Sequence, residues 1–195
     1  VIGACQPVIM LLIAGRVFGE HPRRLDWALA GVALGGVGLV LFGSSGLPAW
    51  SPLGDALSVL TVIAWTLYFV FSKLTRTRID AAQYTGGTAI VAAMVATPFA
   101  LVSGQVFEWP TLNAWFWLIL LSVGPGLTSH MLMNWALGYV PAWFGSTLTL
   151  AIPVTSTLLA WAFLNEAVVL LQFLGMAVVV GALGVLVTQQ SRQRA

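Results

Sequence analysis

Charge is what this sequence has least of. Eight Lys and Arg and six Asp and Glu, 8 + 6 = 14 residues of 195, amount to 7% of the chain. Soluble domains carry roughly 25%. So few charges cannot cover a water-facing surface when 59% of residues are hydrophobic, which excludes an ordinary soluble domain. From Trp109 to Asn165 there is no Asp, Glu, Lys or Arg at all. Cysteine is almost absent: the lone Cys5 sits in an apolar run and reads as a small hydrophobe, giving no disulfide or metal framework. The pI near 9.1 comes from a few loop cations, not from a basic patch, so no nucleic-acid partner is expected. No phosphate-cradling Gly-x-x-x-x-Gly-Lys-[Ser/Thr] occurs, so ATP is not the energy source within this chain. A retinal-type Schiff base needs a Lys in a helix, and the last apolar span has none. There is no Gly-x-Ser-x-Gly and no intramembrane Asp pair, and one His lies at depth, which leaves a membrane-embedded enzyme such as an intramembrane protease as the weaker alternative. No cofactor and no metal site is expected.

What the chain does have is apolar runs long enough to cross a bilayer, about 20 residues each as helix. They lack the alternating polar positions that a barrel lumen requires, so the expected fold is an all-α polytopic membrane protein. Seven spans are predicted: 1–18, 26–43, 55–73, 82–104, 112–138 (interrupted at Gly124-Pro125-Gly126), 142–164 and 168–188. With seven crossings all eight cations fall on one side: Arg16, Arg23 and Arg24; Lys73, Arg76 and Arg78; Arg192 and Arg194. The excess of loop cations makes that side cytoplasmic, with the C-terminus on it, in a bacterial inner membrane. Trp27, Trp50, Trp109 and Trp143 stand near span ends, at the level of the lipid headgroups.

One stretch occurs twice. An ungapped offset of 146 superposes Pro7 on Pro153, Glu20 on Glu166, Gly35 on Gly181 and Gly38 on Gly184, and 9 of 32 residues match between positions 7 and 38. The copies end on opposite sides of the membrane, because five spans separate them, so the repeat is inverted. Residues 1–46 read as the last two helices of a first repeat and 47–195 as a complete five-helix second repeat. On this reading roughly 100 residues, three helices, precede Val1 in an intact ten-helix protein.

These stretches resemble a known family. The run from Ala151-Ile152-Pro153 to Asn165-Glu166, followed by Gln172-Phe173-Leu174-Gly175 and Gly181-Ala182-Leu183-Gly184, is similar to the closing segment of the EamA repeat of the drug/metabolite transporter superfamily. Gly54-Asp55 with Ala64-Trp65-Thr66-Leu67-Tyr68 and Lys73 is similar to the start of that repeat, as is Asn134-Trp135-Ala136-Leu137 before Val140-Pro141-Ala142 to its middle. The usual Gly-Glu ending is kept at Gly19-Glu20 but replaced by Asn165-Glu166 in the second copy. The resemblance implies a secondary carrier, exporting amino acids, related metabolites or drugs by alternating access through a central cavity. Its partners would be a small-molecule substrate, membrane lipid and the three missing helices.

The candidate path residues follow from the cost of placing polar groups in lipid. Pro153 and Pro7 interrupt helix hydrogen bonding in mid-span, where unwound backbone can meet a ligand; Thr149 stands one turn before Pro153, and its hydroxyl either serves the path or bonds back to the helix. His130 and Asn134, with Ser122 and Gly126, form a stripe at spacings of four that should face the bundle or a water-filled path. His130 is either a substrate or proton contact or a neutral packing residue. Trp65 and Tyr68 share a helix face and either wall a cavity or pack. Thr85, Thr88, Ser146 and Thr147 are weaker candidates. Glu20 and Glu166 stand at span ends, where each suits the dipole of the next helix or, for Glu20, a gate pair with Arg23 or Arg24. Gly31 and Gly35, matched by Ala177 and Gly181, have the small-residue spacing of close helix contact, within the protomer or in a homodimer.

Overall fold

The structure is a computed structural model that describes residues 2–44, 51–104 and 108–192. Every regular element among them is helical: α1 (Gln6–Phe18), α2 (Arg24–Gly43), α3 (Pro52–Thr75), α4 (Ala81–Val102), α5 (Leu112–Leu121), α6 (Ser129–Leu137), α7 (Ala142–Leu148), α8 (Ile152–Leu164) and α9 (Leu170–Arg192). Six helical stretches are long and apolar enough to span a membrane: α2, α3, α4, α5 through α6, α7 through α8, and α9. A seventh, shorter apolar stretch runs over Ile2–Phe18. The expected spans are thus found with ends shifted by up to four residues. Trp50 and the expected boundary at residues 46 and 47 lie outside the described residues.

The chain divides into two compact units, one of residues 1–70 with 141–195 and one of residues 71–140. In the first, the two copies of the Pro…Glu stretch fold alike. α1 and α8 are each 13 residues long and 146 positions apart. Each follows a 3₁₀ turn, Ile2–Cys5 or Thr149–Ala151, and carries its proline in the first helical turn, where the missing N–H costs least. Each ends on a left-handed residue, Gly19 (φ 66°) or Asn165 (φ 55°). The next N–H then reaches back six residues, from Glu20 to the Ala14 carbonyl at 3.3 Å and from Glu166 to that of Ala160 at 3.4 Å. The Asn at 165 is therefore no break in the pattern, since Asn is the side chain that best tolerates this backbone after Gly.

The same unit is held by α2 against α9, which run antiparallel. A Cβ on Gly36 would stand 2.9 Å from the Gly175 carbonyl oxygen, and one on Gly175 would stand 2.6 Å from the Gly36 oxygen and 2.8 Å from the Val40 nitrogen. Farther along, Gly43 lies against Gln172, with a Cβ only 2.7 Å from its Cγ. Around these contacts Ala33, Val37 and Val40 are buried on α2, and Met176, Val179, Ala182, Leu183 and Leu186 on α9. This corrects the small-residue expectation within the protomer. Gly31, Gly35, Ala177 and Gly181 all lie on exposed sides of their helices, and added Cβ atoms on the three glycines would meet nothing.

In the second unit α4 opens with a capping box: the Asp80 carboxylate accepts from Gln83 N at 2.8 Å and the Gln83 side chain accepts from Asp80 N at 3.0 Å. The Gly124-Pro125-Gly126 interruption is a π-type turn over Ser122–Thr128, in which Ser129 N–H donates to the Gly124 carbonyl five residues back. Pro125 removes an N–H from the ladder, and the wider turn reroutes the bonds. Gly126 suits this turn, since a Cβ would press to 3.1 Å from the Leu121 oxygen.

The α2–α9 contact makes a direct prediction. Gly175→Ala should destabilise the protein by roughly 1–3 kcal/mol, because backbone atoms stand where the methyl would go, while Gly181→Ala should be neutral or slightly stabilising. Thermal unfolding in detergent of the two variants checks it.

Candidate functional site

In a regular helix the N–H of residue 153 would bond to the Thr149 carbonyl; Pro153 has none to give. The chain tightens instead, so that Ile152 N–H donates to the Thr149 oxygen. The Thr149 hydroxyl donates back to the Ser146 carbonyl at 2.6 Å. The proline break is thus repaired as a 3₁₀ turn, and the first copy does the same ahead of Pro7.

The two repaired turns meet at one cavity of about 200 Å³. Gly3 and Ala4 line it from the first turn and Thr149, Leu150, Ile152 and Pro153 from the second, with Val37 and Leu41 of α2 closing the wall. A second cavity of about 300 Å³ shares Leu41, Ile152 and Pro153 and adds the neutral polar side chains of Ser44, Ser156, Thr157 and Gln172. None of these lining residues is ionisable, so the pair of cavities suits a group without net charge.

Beside the first turn the structure shows a residue that the sequence pattern did not single out. Gln6 is 1% exposed, and among the described residues neither its Oε1 nor its Nε2 has a hydrogen-bond partner. The available signal was an amide side chain in an apolar run immediately before Pro7.

The EamA-like transporter family model matches residues 52–188. The chain belongs to the EamA-like transporter family. It is similar to the uncharacterized transporter YetK of Bacillus subtilis, at 25% identity over 141 residues, which is 71% of this chain and 43% of YetK. It is also similar to the uncharacterized inner membrane transporter YedA of Escherichia coli, at 24% identity over 190 residues, 96% of this chain and 60% of YedA. The chain therefore spans about half the length of these relatives. One solved crystal structure superposes with a TM-score of 0.85 over the whole chain and 68% of that protein, at 20% identity, which establishes a shared fold. This EamA member is a multi-pass helical membrane protein.

The other candidate residues fall into place one by one. Trp65 and Tyr68 stack on each other, ring centroids 5.1 Å apart and planes within 5°, with Phe69 edge-on to both. They are half-buried, and neither lines the two cavities at the proline turns. His130 Nδ1 lies 2.6 Å from the Gly126 carbonyl, so it is Nδ1–H that donates there. The stripe that carries it is exposed at Ser122 and Gly126 and buried only at Asn134. Asn134 is fully buried and ties three helices: its Oδ1 accepts from Ser72 Oγ at 2.7 Å and its Nδ2 donates to Thr85 Oγ1 at 2.8 Å. Below it, Lys73 Nζ donates to the Leu137 and Val140 carbonyls at 3.3 and 2.5 Å, a cation at the C-terminal end of α6. The structure thus gives Asn134 a tie between helices where a path contact was expected, and gives Thr85 the same bond. Thr88, Ser146 and Thr147 donate to carbonyls of their own helices, which satisfies them locally.

Glu20 does serve a helix dipole, but not that of the next helix. Both carboxylate oxygens accept from Ala142 N at 2.9 Å, and Trp143 N lies 3.5 Å away. The cap belongs to α7, whose N-cap residue Pro141 offers no side-chain acceptor and whose residues Ala142–Thr147 are all buried. Glu166, its counterpart in the second copy, is exposed.

Two stability predictions separate these ties from the cavity. Asn134→Ala leaves the Ser72 and Thr85 hydroxyls without their buried partner and should cost roughly 1–3 kcal/mol. Glu20→Ala uncaps α7 and should cost about 1 kcal/mol. Denaturation followed by helical circular dichroism reads both, and Glu166→Ala is the neutral control.

Proposed function

We propose that the intact protein is a secondary carrier that exports small organic metabolites, amino acids or related compounds or drugs, across the bacterial inner membrane by alternating access, with its C-terminus in the cytoplasm. The substrate site is the cavity between the two proline turns. One observation carries this reading: two segments 146 residues apart, with the same broken-helix geometry, converge on the same cavity. Carriers built from inverted repeats place their sites where discontinuous helices of the two halves meet. The antiparallel course of α2 and α9, corresponding helices of the two copies under the offset of 146, supports the inverted arrangement. The family, and relatives described as transporters, support the activity class. Loop cations on one side support the orientation.

The test is flux in proteoliposomes of the full-length protein, using a solute first identified by thermal stabilisation across a panel of amino acids and cationic dyes. Pro153→Ala restores the missing N–H and lets the helix run straight through the turn. It should lower flux roughly ten-fold or more, the effect of about 1.4 kcal/mol on the limiting step, while the melting temperature holds. Unchanged flux in Pro153→Ala and in Thr149→Trp, which fills the cavity, would sink the site. Trp65→Ala and His130→Ala are informative companions, since an unchanged flux there removes those two side chains from the path.

A further inference from the structure

Another cavity, of about 550 Å³, is lined by residues of the second unit alone, from the α3–α4 loop, the start of α4, and α6 with the turn after it. Two of its lining side chains are charged and of opposite sign, Arg76 and Asp80. Among the described residues no ion pair joins them. Arg76 is half-buried and donates from Nη1 to the Ile79 carbonyl at 3.4 Å, using one of the five N–H groups of a guanidinium. Asp80 is exposed, and its Oδ1 accepts from Gln83 N at 2.8 Å, which occupies one carboxylate oxygen of two. The rest of the lining changes character along the span. Tyr139 and Trp135 stand at the end of α6 with ring centroids 4.9 Å apart, and Leu132 and Met131 follow on the Trp135 face, at spacings of three and four. All four are exposed. The cavity is thus graded: opposite charges at the loop, two amphipathic rings, then aliphatic side chains one helical turn deeper in the span.

We infer that this cavity holds a membrane phospholipid with a zwitterionic, primary-amine headgroup, its phosphate on Arg76 and its ammonium on Asp80. The two charges decide the class. A guanidinium donates two parallel N–H groups to the oxygens of a phosphate, the pairing for which its fork geometry is suited. The carboxylate accepts from an ammonium N–H. A purely anionic headgroup would satisfy Arg76 but bring a second negative charge beside Asp80. A quaternary ammonium has no N–H to give. The phosphate and amine of an ethanolamine headgroup are separated by two carbons, so they call for opposite charges in one cavity that do not neutralise each other. The rings meet the glycerol and ester level, where Trp and Tyr settle in a bilayer. Leu132 and Met131 meet the beginning of the acyl chains, where removal of apolar surface from water is favourable. A fully water-soluble solute has no use for that apolar end.

The experiment titrates the full-length protein in detergent with dioleoyl phosphatidylethanolamine, phosphatidylcholine and phosphatidylglycerol, which differ only in the headgroup, and reads bound lipid by native mass spectrometry. Wild type should retain the ethanolamine lipid roughly ten-fold better than either other, the size of one charge-assisted hydrogen bond. Asp80→Asn keeps an N-cap oxygen for α4 and removes the charge. It should melt with wild type and retain the ethanolamine and choline lipids equally. Arg76→Gln should bind all three weakly, and Leu132→Trp, which fills the apolar end, should lose the ethanolamine lipid. Equal retention of the three lipids by wild type would overturn the proposal, as would a preference that survives in both Arg76→Gln and Asp80→Asn. Stronger retention of the glycerol lipid would remove Asp80 as a partner and overturn the headgroup class, and so would a choline lipid held as well as the ethanolamine one. A competition with glycerophosphoethanolamine, the headgroup without chains, separates the two sources of this chemistry. It should leave the lipid in place; displacement at equal concentration would mean that a soluble solute occupies the cavity and would overturn the lipid.

Discussion

Inside hydrocarbon no water is available to a backbone N–H or carbonyl, so each must be paired by the protein. That constraint accounts for more of this structure than any single contact. It makes every described element helical, and it dictates how each interruption is repaired. At Thr149–Ala151 the ladder tightens to a 3₁₀ turn; at Ser122–Thr128 it widens to a π turn. At Gly19 and Asn165 the chain turns left-handed and folds an N–H back onto the helix. Where α7 begins the repair is a side chain brought from 122 residues away, Glu20, and where α6 ends it is Lys73. The Thr149 carbonyl that Pro153 leaves without its usual donor, attractive as a ligand contact, is already taken by Ile152 N–H. What the turns contribute to a site is shape and a gap between helices.

The spans were legible because their signal is local and large: an apolar run bounded by turn residues or charges carries its own ends to within a few residues. The repeat was legible for the same reason, since Pro, Glu and Gly at fixed offsets cannot arise cheaply in a chain of aliphatic residues. Partner choice was not legible. α2 carries Gly31, Gly35, Gly36 and Gly38, and the Gly31–Gly35 spacing matches a helix-contact motif better than any pair that includes Gly36. Yet Gly36, a rotation of about 100° from Gly35 on a 3.6-residue helix, is the one of these four that meets α9. Which face of an apolar helix is covered depends on its neighbour, and every face of α2 is apolar. Asn134 misled in a related way. A polar stripe on a lipid-bound helix must be satisfied somewhere, but the sequence does not say whether by a path or by Ser72 and Thr85 on other helices.

The two copies show how far backbone symmetry and side-chain chemistry can part. Turn, helix length, left-handed end and returning N–H coincide at a constant offset, while Gln6 stands against Ile152, Gly15 against Trp161 and Arg16 against Ala162. A symmetric frame made of backbone bonds tolerates this because none of those bonds uses a side chain. Side chains are then free to differ.

The glutamates extend the same logic to the ends of the repeat. Identical left-handed turns present Glu20 and Glu166, but only Glu20 holds a helix N-terminus; Glu166 is exposed. The difference lies in what stands next to each turn: Glu20 meets the start of α7, whose N-cap Pro141 offers no side-chain acceptor. A carboxylate accepting from Ala142 N at 2.9 Å supplies what that helix end lacks, a cap worth on the order of 1 kcal/mol, and the burial of Ala142–Thr147 behind it shows how much of α7 the cap helps to hold in place.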